Sequence, residues 1–212
     1  MQVGILGSGD VGRALGRGFA VRGHDVMIGS RRPKSDELTK WLKQVKGKAS
    51  TGSFEEAATH GEVVVLATLG TAVEEVLRLA GPSSLKGKVV IDVTNPLGEE
   101  DLVPWVGMTD SLGERVQRSL PDARVVKVFN TVPNTQMVDP KFAGGVPEML
   151  IAGNDAAAKK TVVGLLKEFG WPGAIDIGGI EGSRWLEAIV PLWVLVGTKL
   201  GRWDHAFKVV HG

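Results

Sequence analysis

Short runs of Val and Ile alternate along the chain with segments in which apolar residues recur at helical spacing. The short runs predict strands buried on both faces, and the helical segments predict helices that cover the sheet. The predicted strands are residues 2–6, 25–28, 48–51, 62–67, 88–93, 124–129, 148–152 and 174–177, of which 48–51 has the weakest pattern. The predicted helices are residues 11–22, 35–46, 54–60, 71–80, 111–119 and 156–169. This alternation is typical of an α/β fold with a doubly wound, mostly parallel sheet.

The alternation stops after Gly178 and Gly179, and the rest of the chain has a helical pattern only. Pro191 is expected to bend this helical region, and Gly201 to interrupt it before a last turn at residues 205–209. No repeat, linker or low-complexity tract divides the chain. We therefore expect one sheet domain over residues 1–178, and a C-terminal helical segment over residues 179–212 that is not an independent domain.

Composition narrows the functions that such a chain can serve. It has 25 Lys and Arg against 24 Asp and Glu, so its net charge of +1 gives no basic surface for nucleic acid or an anionic membrane. It has no Cys, and its four His are scattered, which argues against thiolate chemistry and against a metal site. The first residues lack the basic region and cleavage site of a signal peptide. We expect a cytoplasmic protein whose partner is a small molecule, without nucleic acid, membrane or metal.

A glycine-rich motif follows the first predicted strand and opens the first predicted helix. The motif is Gly7-Ser8-Gly9-Asp10-Val11-Gly12. Its GxGxxG spacing in this context is the dinucleotide-binding fingerprint: the first glycine permits a tight turn, the second lets backbone N–H groups approach a pyrophosphate, and the third allows close packing. The helix N-terminus attracts the phosphates. We interpret all six residues as the phosphate-binding turn of a Rossmann-type sheet that is extended by extra strands.

The residues after the second predicted strand indicate which dinucleotide binds. Ser30 lies 18 positions after Gly12, where NAD enzymes place an acidic residue on the ribose hydroxyls. Arg31, Arg32 and Lys34 follow Ser30. A hydroxyl and three cations suit the 2′-phosphate of NADP(H), which a carboxylate would repel. The sequence therefore predicts NADP(H), held at this point by these four residues.

Short polar loops follow the later predicted strands, and in open α/β sheets the ligand lies outside the carboxyl ends of the strands. The loops are Thr68-Leu69-Gly70, Thr94-Asn95-Pro96-Leu97, Asn130-Thr131-Val132-Pro133-Asn134 and Gly153-Asn154. Thr and Asn side chains suit a ribose or an amide, and Leu69 and Leu97 suit an apolar ring. Turn formation alone favours the same residue types. Their joint placement predicts cofactor contacts at Thr68, Leu69, Asn95, Pro96 and Leu97.

The residues in this crevice favour hydride transfer between two rings. Alternation along strand 124–129 places Lys127 on the face opposite Asn130, so these two do not form a catalytic pair. Asn130 and Thr131 are predicted to position the rings without transferring a proton. Reduction of a ketone needs an acid, yet the sequence has no Tyr and no His in the predicted crevice. Transfer between two ring cofactors needs only stacking at about 3–3.5 Å and exclusion of water.

Four segments together resemble the NADPH-dependent reductases of coenzyme F420, an 8-hydroxy-5-deazaflavin. They are Gly7-Ser8-Gly9-Asp10-Val11-Gly12, Gly29-Ser30-Arg31-Arg32, Asn130-Thr131-Val132-Pro133 and Gly182-Ser183-Arg184-Trp185-Leu186-Glu187. The chain is also similar to the cytosolic reductase domain of the six-transmembrane epithelial antigen metalloreductases, which share the Phe-Asn-Thr-Val run. The resemblance spans nearly the whole chain.

This resemblance implies an acceptor as well as a cofactor. It implies NADP contacts at Ser8, Gly9, Asp10, Val11, Ser30, Arg31 and Lys34, and an acceptor ring near Leu69, Pro96, Leu97 and Thr131. The archaeal deazaflavin enzymes carry His at the position of Asn130. FMN, FAD and a non-flavin acceptor therefore stay open beside the deazaflavin.

The resemblance further implies a homodimer that pairs through the C-terminal helix. Trp185, Ile189, Trp193 and Val196 recur at helical spacing, and Leu186, Val190 and Leu192 widen the stripe. A helix in the core of a monomer is the alternative interpretation. Ser183 and Arg184, at the start of this helix, are expected to reach the crevice of the same chain or of its partner.

Three functions follow from these residues. The first is an NADPH:deazaflavin or flavin oxidoreductase, which the sequence favours. The second is a reductase of imines or small hydroxy acids, for which Lys199 is the one candidate proton donor. The third is a non-catalytic module that binds NADP(H) and passes a change of shape to a partner.

Overall fold

The computed structural model describes residues 1–97 and 109–210 of the chain. Within these ranges the strands are β1 Gln2–Leu6, β2 Asp25–Gly29, β3 Ala49–Gly52, β4 Val63–Leu66, β5 Val89–Asp92, β6 Arg124–Lys127, β7 Met149–Gly153 and β8 Ala174–Asp176. The helices are α1 Asp10–Val21, α2 Asp36–Gln44, α3 Phe54–His60, α4 Val73–Ala80, α5 Leu112–Ser119, α6 Ala156–Glu168, α7 Ser183–Ala188 and α8 Val190–Leu200.

The strands form one sheet in the order β3-β2-β1-β4-β5-β6-β7-β8. Neighbouring strands are parallel except for β6 and β7, which pair antiparallel. The chain runs from β1 outward to β2 and β3, and then crosses to β4 on the other side of β1. Loops that leave β1 and β4 in opposite directions open a crevice beyond their carboxyl ends. The predicted doubly wound, mostly parallel sheet is confirmed.

Helices cover the sheet on both faces, as the apolar strand sequences require. One core cluster joins α1, α2 and α6 to the sheet through large buried side chains such as Phe19, Trp41 and Phe169. A second cluster joins α3, α4 and α5 to the opposite face, around Leu66 and Val90. The position of every predicted strand and helix before residue 178 agrees with an observed element to within about two residues.

The C-terminal region departs from its prediction in two places. Pro191 lies in the first turn of α8, so it begins a second helix after α7 rather than bending one continuous helix. The predicted last turn at residues 205–209 is wrong, because the chain after α8 has no regular secondary structure up to residue 210. Gly201 ends α8 in the left-handed conformation, with φ of 64°.

The chain after Gly201 is held against α8 by hydrogen bonds that compete with a helical turn. Trp193 Nε1 donates to the His205 carbonyl at 3.1 Å, and His205 Nε2 donates to the Trp193 carbonyl at 3.0 Å. The two rings stack with their centroids 4.5 Å apart. In the described part of the chain, no helix combines the length and apolar character needed to span a bilayer.

Candidate functional site

A cavity of about 400 Å³ lies beyond the carboxyl ends of β1, β2, β4 and β5. Its walls come from the loops after these strands, from the start of α3 and from α4. The lining residues are Gly7, Ser8, Gly9, Asp10, Val11, Ser30, Arg31, Arg32, Phe54, Ala67, Thr68, Leu69, Ala72, Glu75, Val76, Leu79 and Val93. The glycine-rich turn and the cations after β2 therefore meet in one cavity, at the crevice where the fold places a ligand.

The three fingerprint glycines face different surroundings. A Cβ atom added to Gly7, whose φ is +134°, would lie 2.0 Å from the Ala67 carbonyl oxygen, and one added to Gly12 would lie 2.1 Å from that of Gly7. A Cβ on Gly9 would meet no atom within 4 Å. Gly7 and Gly12 are thus required for packing within the protein, whereas Gly9 leaves space in the cavity. The turn fits a pyrophosphate that approaches the backbone at Gly9.

Helix α1 begins without a side-chain cap. Four other helices begin at residues whose side chains accept a hydrogen bond from the first turn: Ser35, Ser53, Ser111 and Asp155. The corresponding residue of α1 is Gly9, which has no side chain to do so. The first N–H groups of α1 therefore stay available to an anion in the cavity. The Asp10 carboxylate does not oppose this, because Arg13 binds it at 2.6 Å.

The loop after β2 presents two cations that have no protein partner in the described chain. Ser30 Oγ accepts a hydrogen bond from Arg32 N at 3.1 Å and lies 3.1 Å from Ser8 Oγ, so this hydroxyl connects the loop to the glycine-rich turn. The side chains of Arg31 and Arg32 are exposed and make no ion pair or hydrogen bond within the described residues. Lys34 is exposed beyond them and does not line the cavity.

The loops after β4 and β5 pack tightly against each other. A Cβ on Gly70 would lie 2.2 Å from the Asn95 carbonyl oxygen. Of the predicted cofactor contacts in these loops, Thr68 and Leu69 line the cavity, whereas Asn95, Pro96 and Leu97 lie outside its lining.

Asn130 and Thr131 occupy different surroundings from the cavity. The Asn130 side chain is buried, and its Nδ2 donates to Asn95 Oδ1 at 3.1 Å and to the Leu186 carbonyl at 2.7 Å. Asn95 Nδ2 in turn donates to the Asn130 carbonyl at 3.0 Å. Thr131 lines a separate small cavity together with Phe207. Asn130 therefore fixes the loop after β6 to that after β5 and to α7.

The backbone at Phe129 changes where Asn130 points. Strand β6 ends at Lys127, and Phe129 has a φ of 65°, a left-handed conformation that is strained for a bulky residue. The predicted alternation therefore stops short of Asn130. Lys127 and Asn130, predicted on opposite faces, both contact α7.

A buried charge cluster lies beneath these loops, and sequence reasoning missed it. Lys127 Nζ lies 3.1 Å from Asp92 Oδ2 and 2.8 Å from Glu187 Oε1, and all three residues are buried. Burial alone lowers the pKa of Lys127, but attraction to the two carboxylates outweighs it and raises this pKa. Glu187 also accepts hydrogen bonds from Leu112 N and Gly113 N at the start of α5. The cluster fixes α7 to the ends of β5 and β6.

The start of α7 points toward α5, away from the cavity. Arg184 forms two hydrogen bonds with Glu114, at 2.8 and 2.5 Å. These bonds lower the pKa of Glu114. Ser183 is fully buried, and its Oγ has no hydrogen-bond partner in the described chain. The expectation that Ser183 and Arg184 reach the crevice of their own chain is wrong.

The cavity supplies groups that bind anions, and it lacks an evident proton donor. Among the described residues its charged members are Asp10, Arg31, Arg32 and Glu75, and no His or Lys lines it. Lys199 is exposed on α8 and does not contribute to the cavity. Such a site can orient a phosphate-bearing cofactor, while the reacting groups must come from the ligands themselves.

Comparisons with known proteins agree with this geometry. The model of the family described as "NADP oxidoreductase coenzyme F420-dependent" matches residues 2–96. An F420-dependent NADP reductase of Methanocaldococcus jannaschii is 31% identical over 216 residues, which cover 94% of this chain and 93% of the relative. Rat metalloreductase STEAP3 is 33% identical over 200 residues, which cover 94% of this chain and 38% of the relative.

A solved structure extends the similarity to three dimensions. The crystal structure of a candidate F420-dependent NADP reductase from Arthrobacter sp. FB24 superposes with a TM-score of 0.94, at 38% identity and with 100% of both chains covered. On the strength of these full-length similarities, the chain belongs to the coenzyme F420-dependent NADP oxidoreductase family.

Proposed function

We propose that this chain is an oxidoreductase that transfers hydride between NADPH and a deazaflavin coenzyme of the F420 type. The observation that carries the proposal is the cavity in which the open side of Gly9, the uncapped α1 and the unpaired cations Arg31 and Arg32 meet. The turn at Gly9 and the uncapped start of α1 match the pyrophosphate of NADPH, and the two arginines match its 2′-phosphate. Family membership supports both the cofactor and the acceptor.

The residues of the chain then have distinct tasks. The first-turn N–H groups of α1 bind the pyrophosphate, and Ser30, Arg31 and Arg32 bind the 2′-phosphate. Lys34 adds positive charge nearby without direct contact. Thr68 and Leu69 form the cavity wall beyond the glycine-rich turn, where the nicotinamide end of the cofactor would lie. When bound, NADPH supplies the hydride and the deazaflavin accepts it.

Asn130 has a positioning task in this proposal. Its carboxamide cross-links the loops after β5 and β6 and fixes both to α7. Asn95 and Pro96 are thereby held against Gly70, which follows the Thr68–Leu69 wall. A rigid wall at this point keeps two stacked rings at reacting distance, which is the main requirement of hydride transfer between them.

One assay tests the proposal. Protein and NADPH are mixed with F420, FMN, FAD and a panel of imines and carbonyl compounds, and loss of the nicotinamide absorbance is followed. Turnover with F420 is expected. Turnover with imines or carbonyls alone would instead indicate the imine or hydroxy-acid reductase. Binding of NADPH without turnover of any acceptor would support the non-catalytic module.

We also propose that two chains pair through the C-terminal helical segment. Of the α8 side chains and glycines, only Val190 and Gly197 are buried in the single chain. Leu192, Leu195 and Leu200 are 50%, 54% and 57% exposed, and Trp185 on α7 is 61% exposed. So many large apolar side chains exposed in one region support an interface with a second copy.

A further inference from the structure

Glu75 is the one cavity carboxylate that no cation of the described chain neutralises. It lies on α4 and is exposed, and it has no hydrogen bond or ion pair within the described residues. The other cavity carboxylate, Asp10, is bound by Arg13 at 2.6 Å. An unpaired carboxylate is unexpected in a cavity whose proposed ligand carries phosphates, because the carboxylate repels the phosphates.

The surroundings of Glu75 suit a flat ring. Ala72, which directly precedes α4, shares one helical face with Val76 and Leu79 on α4, and together with Glu75 these residues form the cavity wall on that side. The same cavity contains the unpaired side chains of Arg31 and Arg32. Guanidinium planes stack on aromatic rings, and aliphatic side chains pack on the other face of such a ring. A purine base that stacked between these two surfaces would present an edge to the Glu75 carboxylate.

Charge selects which part of the ligand Glu75 faces. A carboxylate only accepts hydrogen bonds, so its partner must be a donor. On the adenosine 2′-phosphate half of NADPH the donors are the exocyclic amine of adenine and the ribose 3′-hydroxyl. The hydroxyl adjoins the phosphate that Arg31 and Arg32 attract, whereas the amine lies at the far edge of the base. The amine is therefore the donor that a carboxylate on α4 can meet with least repulsion from the phosphate.

We propose that Glu75 recognises the exocyclic amine of adenine and makes the site selective for adenine over hypoxanthine. This inference rests on the proposed NADPH-binding function. In the deaminated analogue of NADPH the amine is replaced by a carbonyl oxygen, which faces the carboxylate as a second acceptor. The Glu75 carboxylate is charged but exposed, so a hydrogen bond to it should make the Kd of NADPH about tenfold lower than the Kd of the hypoxanthine analogue.

Calorimetric titration with NADPH and with its hypoxanthine analogue tests the inference. Wild-type protein is expected to bind NADPH about tenfold more tightly. Glu75→Ala should abolish that preference by weakening NADPH binding, and Glu75→Gln should reduce it because an amide also donates to the hypoxanthine oxygen. Glu74→Ala is the matched control: it removes the same charge from the neighbouring exposed position outside the cavity lining, and the preference should persist.

The outcomes separate the two proposals. Wild-type protein that binds both nucleotides equally, or a Glu75→Ala variant that changes both affinities by the same factor, would overturn the role of Glu75 alone. Absence of NADPH binding by the wild-type protein would overturn the proposed function and this inference with it. Because Glu75 is exposed, all variants are expected to fold, and thermal unfolding verifies this.

Discussion

Gly9 and Gly12 belong to one turn, yet they are required for different reasons. A methyl group on Gly12 meets the Gly7 carbonyl at 2.1 Å, and one on Gly9 meets nothing within 4 Å. Gly9→Ala should keep the free energy of unfolding within about 0.5 kcal/mol of wild type and weaken NADPH binding at least about tenfold. Gly12→Ala should lower the free energy of unfolding by about 3 kcal/mol, since the backbone cannot yield.

Denaturant unfolding and NADPH titration of the same samples separate these two effects. Gly164→Ala on α6 serves as control, because its methyl group also meets no atom within 4 Å. Alanine at this helical position should stabilise the protein by about 0.5–1 kcal/mol and leave NADPH binding unchanged. Unimpaired NADPH binding by Gly9→Ala would contradict the proposed position of the pyrophosphate.

The pocket at Ser30 and Arg31 should decide between the two pyridine nucleotides. The double variant Ser30→Asp/Arg31→Ala replaces a donor with an anion and removes a cation that has no protein partner in the described chain. NADPH affinity should fall about a hundredfold, and NADH affinity should change little, because only NADPH carries the 2′-phosphate.

Equilibrium titration with both nucleotides measures this selectivity. The variant Thr39→Asp/Lys40→Ala makes the same change of charge on the exposed face of α2, outside the cavity lining, and should alter neither affinity. Equal losses of NADPH and NADH affinity in the pocket variant would refute the NADP assignment to these residues.

At the scale of elements, α5 and α7 are fixed to each other by an ion pair that responds to pH. Arg184 holds the pKa of Glu114 below its ordinary value of 4.5. A carboxyl whose pKa is lowered by folding stabilises the fold above its unfolded pKa, and this contribution is lost as the pH falls through the folded pKa. Glu114→Gln should therefore cost about 1 kcal/mol at neutral pH, a modest value because Arg184 is 32% exposed.

Thermal unfolding across pH checks this prediction. The melting temperatures of wild type and Glu114→Gln should differ at neutral pH and converge as the pH falls below about 4.5. Glu55→Gln, at an exposed position without an ion pair in the described chain, should show no comparable convergence. A difference between wild type and Glu114→Gln that is independent of pH would show that the pair does not act through the ionised carboxylate.

The pattern of apolar and polar residues predicted the helices and strands better than it predicted the side-chain contacts between them. The inner strands, such as β1, β4 and β5, were predictable because burial on both faces demands continuous apolar runs, whereas β3 and β8 at the edges of the sheet are only partly buried. The glycine-rich turn and the cations after β2 were predictable because both sites lie within the first βαβ unit, at fixed spacing. Family resemblance added the deazaflavin acceptor, and the family itself is confirmed by the similar proteins.

Long-range pairing could not be predicted in the same way. A lone Lys in β6 and a lone Asp at the end of β5 were visible signals, since neither suits an apolar strand alone. Their third partner, Glu187, comes from α7, and no local pattern connects it to them. The unpaired Glu75 was equally hidden, because its exposed position on α4 looks like an ordinary solvated charge until the cavity is known.

At the scale of the whole molecule, the exposed apolar side chains of α8 predict association. Leu195, which is 54% exposed at the middle of α8, is the test position. Leu195→Glu should convert a dimer into a monomer at micromolar concentration, because a buried interface does not tolerate an unpaired carboxylate. Val21→Glu places the same charge at a 59% exposed position on α1 and should stay dimeric.

Sedimentation velocity distinguishes the two variants, and NADPH titration adds a second readout. The cavity residues come from the loops after β1, β2, β4 and β5 and from α3 and α4, so they are complete within one chain. A monomeric Leu195→Glu variant should therefore still bind NADPH with wild-type affinity. A wild-type protein that sediments as a monomer would remove the proposed pairing, and α8 would then need another partner for its apolar face.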